Sequence, residues 1–79
     1  MLEEALSHLV RGIVDHPDDV HVSTRNQRRG MCLDVSVNPE DMGRVIGRGG
    51  RTASALRTVV TALNSGRGVR IDFLDVAER

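Results

Sequence analysis

Three glycines within four positions, bracketed and interrupted by arginine, make the most chemically distinctive stretch of this chain: Val45-Ile46-Gly47-Arg48-Gly49-Gly50-Arg51-Thr52. Glycine admits positive φ and lets a ligand come close to the backbone. A helix starting just beyond it would offer unpaired N–H groups and the positive end of its dipole to an anion. Arg48 and Arg51 add forked donors that match phosphate oxygens. The chemistry is the grip of a phosphodiester backbone. Two other phosphate loops are excluded. The dinucleotide fingerprint needs a third glycine where Thr52 stands, and a strand rather than a helix before it. A Walker loop needs lysine, and the eleven basic residues here are all arginine. The same absence excludes Schiff-base enzymes that use lysine.

The remaining reactive side chains form no catalytic set. Cys32 is the single cysteine, so no internal disulfide is possible, which places the chain in a reducing cytoplasm. His8, His16 and His21 lack metal-ligand spacing. Asp34, Glu40 and Asp41 are accounted for by helix capping and solvation. No enzyme activity, cofactor or metal is expected. No apolar run approaches the roughly 20 residues that would cross a bilayer, so no membrane is expected as a partner.

The elements that must position the glycine loop follow from periodicity. Leu2, Ala5, Leu6, Leu9, Val10, Ile13 and Val14 keep helical spacing, and this first helix should stop near Asp15, ahead of Pro17. Val20, Val22 and Thr24 alternate as a strand. Arg25–Gly30 reads as a polar turn, and Met31, Leu33, Val35 and Val37 alternate as a second strand, with Cys32, Asp34 and Ser36 on its more exposed face. Asn38-Pro39-Glu40-Asp41 is a helix start. Met42, Val45 and Ile46 mark a short helix ending at Gly47. Ala53, Leu56, Val60 and Leu63 mark the buried stripe of another that runs to about Asn64. After the turn Asn64–Gly68, Val69, Ile71 and Phe73 form a closing strand. The order α-β-β-α-α-β implies an α+β fold, with a three-stranded sheet and three helices packed on one face. Seventy-nine residues allow one domain, spanning 1–79.

Composition at first argues against a nucleic-acid binder. The formal net charge is zero and Phe73 is the only aromatic residue, which argues against modules that stack bases on aromatic platforms. Mapping the charges changes the first point. Residues 42–71 hold Arg44, Arg48, Arg51, Arg57, Arg67 and Arg70 with no acid, so this stretch carries +6 and the rest −6.

The helix–Gly-x-x-Gly–helix arrangement, with Gly47 and Gly50 as its glycines, resembles the KH domain, whose loop clamps the backbone of about four nucleotides. The element order is that of the type II KH fold. More narrowly, the chain resembles the small bacterial single-domain KhpA (YlqC) family. The likeness rests on His16-Pro17-Asp18, Pro39-Glu40-Asp41 and the core from Gly43 to Thr52. Gly49 departs from that pattern, which more often has Lys, Arg or Gln there.

The resemblance implies a non-enzymatic, cytoplasmic RNA-binding protein holding short single-stranded RNA with Arg44, Ile46, Gly47, Arg48, Gly49, Gly50, Arg51 and Thr52. Arg67 and Arg70 are secondary contacts, and the groove is lined by Ile46 and the helix around Leu56 on one side. It also implies an RNA chaperone or post-transcriptional regulator linked to cell-wall homeostasis and cell length. Such a protein would act as a homodimer or with a larger Jag/KhpB-type KH partner. The third helix carries a second apolar stripe, Ala55, Val59 and Ala62, that suits self-association. A KH-fold protein-interaction module and a single-stranded DNA binder remain as alternatives.

Overall fold

A computed structural model describes residues 2–28 and 30–75. Its elements are α1 (Leu2–Arg11), β1 (His21–Gln27), β2 (Gly30–Val37), α2 (Met42–Ile46), α3 (Arg51–Leu63) and β3 (Arg70–Asp75), with 3-10 turns at Pro17–Asp19, Pro39–Asp41 and Arg48–Gly50. The α-β-β-α-α-β order is as expected. The sheet runs β1-β2-β3, with β1 antiparallel and β3 parallel to the central strand. Leu6 and Val10 of α1, Val45 of α2, and Leu56 and Val60 of α3 close over Leu33, Val35, Val37 and Ile71 in one core. The helices therefore share one face of the sheet.

Three local expectations are corrected. The first helix stops at Arg11, four residues early, because Gly12 is a poor helix residue. The Ile13 and Val14 amides still reach the Val10 carbonyl at 3.0 and 3.2 Å, so both side chains stay packed on the core after the helix has ended. The polar run Arg25–Gly30 is mostly strand, not turn: β1 continues through Gln27, pairing with Gly30. Arg25 rewards that extension, with Nε 2.7 Å from Asp34 Oδ2 and Nη2 3.0 Å from Asp72 Oδ2 across the sheet. Finally, Leu63 does not join the buried stripe of α3. It is 56% exposed, while Ala53, Leu56 and Val60 are buried.

The sheet face away from the helices carries charge. The register sets Arg25, Cys32 and Arg70 in one row and Asp34 and Asp72 in the next. Cys32, expected to be exposed or partly covered, is completely buried, with Arg25 Nη2 3.4 Å from its sulfur. Burial and the neighbouring Asp72 push its thiol pKa up, away from the thiolate form.

Candidate nucleic-acid interface

The site is assembled by how α2 starts, how it stops, and how α3 begins. The Asn38 side chain accepts from the Glu40 N–H at 2.8 Å, and Pro39 opens the 3-10 turn that leads into α2. Five residues later α2 stops at Gly47, with φ 77° and ψ 169°. A Cβ at Gly47 would lie 2.7 Å from the Thr52 backbone nitrogen, so a side chain has no place there. Gly49 (φ 63°, ψ 19°) and Gly50 (φ 79°, ψ 13°) are both left-handed. A Cβ on either would meet no atom within 4 Å, so the space beside these two glycines is open among the described residues.

The N-terminus of α3 is left open to an anion. Gly50 caps it without any side-chain hydrogen bond, and its first turn contains no acid. Arg48 and Arg51 flank it, both exposed and without an ion pair among the described residues. The arrangement joins a positive helix end, open space beside Gly49 and Gly50, and two exposed guanidinium groups.

The expected site residues divide into two groups. Arg44 and the run Ile46 to Thr52 come together at the α2–α3 junction. Within it, Ile46 is half-buried against the core and Thr52 is half-buried against Gly47. Leu56 is buried in the core. Arg67 lies beyond the far end of α3, in the turn after Leu63. Thirteen residues of helix put that turn about 20 Å from the loop. Arg70 lies on the sheet face opposite the helices, its Nε 3.2 Å from Asp72 Oδ1. The structure does not bring these two arginines to the loop. Ala55, Val59 and Ala62 are exposed on one side of α3, and Leu63 extends that stripe.

One structural anchor of the site escaped the reading of the sequence. Asp41, assigned there to capping and solvation, is only 1% exposed. Its Oδ1 accepts from the Asp15 N–H at 3.1 Å, and its Oδ2 from the His16 N–H and ring Nδ1, both at 3.0 Å. Burial pushes the Asp41 carboxyl up, but the Asp15 amide and the His16 ring and amide outweigh it and hold it below the ordinary value. The side-chain hydrogen bond to Asp41 raises His16, with Glu40 at 3.4 Å adding to it. This corner ties the α1–β1 connection to the start of α2, and so to the loop. Partners 25 residues apart leave no periodic trace in a sequence.

Comparison with known proteins is consistent with this geometry. Residues 3–73 match the family described as KhpA/KhpB, KH domain. The chain is 68% identical over 76 residues to a Streptomyces coelicolor protein named RNA-binding protein KhpA, covering 96% of this chain and 95% of that one. A Mycobacterium tuberculosis protein of the same name is 58% identical over 72 residues, covering 91% and 89%. Among solved structures, Aquifex aeolicus Era matches with a TM-score of 0.61 at 12% identity, over 94% of this chain and 29% of that one. That likeness concerns the fold alone.

Proposed function

Because the chain belongs to the KhpA/KhpB KH-domain family, we propose that it is a non-enzymatic RNA-binding protein that clamps short single-stranded RNA at the α2–α3 junction. The observation that carries this reading is the loop itself. Positive-φ glycines at 49 and 50 leave open space beside the backbone, at a helix start with no side-chain cap, flanked by arginines that form no ion pair among the described residues. Gly47, Arg48, Gly49 and Gly50 hold phosphates. Ile46 gives apolar contact to bases, and Thr52 backs the loop. Arg44 and Arg51 add attraction, and Arg67 acts on strand that runs beyond the clamp. The names of the relatives support RNA as the ligand.

The exposed stripe of α3 supports self-association. Val59 is 43% exposed and Leu63 56%, an apolar surface that a second copy would cover. We propose a homodimer through Ala55, Val59, Ala62 and Leu63, with a larger KhpB-type KH protein as an alternative occupant of the same face. Pairing offers avidity to a clamp that is weak alone. The cytoplasmic location, the role as RNA chaperone or post-transcriptional regulator, and the link to cell wall and cell length rest on the family alone.

The test is RNA crosslinking in cells with Arg48→Asp and Gly49→Asp combined. Crosslinks should be lost while the protein stays folded and self-associated. Crosslinks at the level of the unchanged protein would favour an interaction module instead.

A further inference from the structure

We infer that Asp15 is a built-in competitor for the phosphate at Arg44, an inference that rests on the RNA-binding reading above. Arg44 stands on the exposed side of α2, three residues before Gly47, and its Nη2 lies 3.0 Å from Asp15 Oδ2. Asp15 is not a loose surface carboxylate. Its backbone N–H is held by Asp41 Oδ1 at 3.1 Å, and that of His16 by Asp41 Oδ2 at 3.0 Å. Asp41 is buried in the turn that opens α2, so both ends of the Arg44–Asp15 pair ride on one corner of the fold.

Carboxylate and phosphate oxygens compete for the same guanidinium fork. A phosphate that takes Arg44 through Nη2 must displace Asp15, whose backbone anchor keeps its charge beside the incoming strand. The contact therefore holds the affinity of the clamp below what its arginines would give alone. The effect is modest, since the two side chains are 56% and 63% exposed and solvent screens them. Its sign is the informative part. Loss of a residue that merely supported the fold would weaken binding, whereas loss of a competitor strengthens it. The Asp41 bond goes to the Asp15 backbone, so Asp15→Asn leaves the corner intact.

The experiment titrates a short fluorescent single-stranded RNA against the unchanged protein, Asp15→Asn, Asp18→Asn, Arg44→Gln and the double variant Asp15→Asn/Arg44→Gln. Asp18 is exposed on the same connection and controls for the general change in charge. Asp15→Asn should bind about two- to fivefold tighter than the unchanged protein, and more tightly than Asp18→Asn. Its salt slope should steepen by up to about 0.7 as Arg44 becomes free for a phosphate. In the Arg44→Gln background the gain should vanish. Equal or weaker binding by Asp15→Asn overturns the inference, as does a gain that persists without Arg44. If Arg44→Gln and the Arg48→Asp/Gly49→Asp loop variant both bind as the unchanged protein does, the RNA reading has failed and this inference with it. That pattern differs from failure at Asp15 alone.

Discussion

Gly47 tolerates no side chain, and this is the sharpest statement at the scale of single residues. Its φ of 77° is already unfavourable for other residues, and a Cβ would run into the Thr52 backbone. Gly47→Ala should destabilise the chain by roughly 1–3 kcal/mol or force the loop open. Gly49→Ala meets no atom, so it should cost only the left-handed strain of about 1–2 kcal/mol. Thermal unfolding of the two variants checks the order; equal losses would contradict it. The glycine pattern made the loop legible in the sequence, but it gave no sign of the Asp41–His16 corner. That corner has its own pH signature. His16 is raised above its ordinary 6.5, so it contributes stability that is full below that value and is lost as pH rises through the folded pKa. Asp41 is lowered from 3.8, so its contribution is present above that value and is lost as pH falls through its folded pKa. Urea midpoints should fall from pH 6 toward pH 8, and His16→Asn should flatten that decline. An unchanged decline in the variant would place the titrating group elsewhere.

At the scale of elements, α3 does two jobs with two faces. Ala53, Leu56 and Val60 lock it to the sheet, so that its bare N-terminus is held where α2 delivers the loop. Ala55, Val59 and Ala62, with Leu63, face outward. Periodicity found both stripes but misplaced Leu63, because the core stripe and the outward stripe adjoin and a leucine fits either. Val59→Asp puts a charge at the centre of the exposed stripe without touching the core. It should yield a folded monomer, with a melting temperature within a few degrees of the monomeric state of the unchanged protein. Light scattering reads the outcome, and a variant that remains dimeric removes α3 as the contact. The β1–β2 hairpin was less legible. Its polar sequence suggests a turn, whereas ion pairs across three strands carry β1 through Gln27.

At the scale of the whole molecule, zero net charge conceals a division. The acid-free stretch 42–71 runs from α2 through the loop and α3 into β3, and the acids lie elsewhere in the chain. Folding refines that division. Arg70 and Arg25 are occupied by acids on the outer sheet face, and Arg44 is occupied by Asp15. Arg48, Arg51, Arg57 and Arg67 form no ion pair among the described residues, and the first two stand beside the loop. The segment was legible from the order of charges. Which arginines are paired was not, because their partners come from the α1–β1 connection, β2 and β3. The most direct test of the account is the salt dependence of affinity for a short single-stranded RNA, measured on the unchanged protein and on Arg48→Asp/Gly49→Asp. With about three or four phosphates engaged, log affinity should fall with log salt at a slope of roughly −2 to −3. The variant should lose binding while keeping its circular dichroism spectrum. A slope near zero, or equal affinity in the folded variant, would contradict a phosphate clamp at this loop.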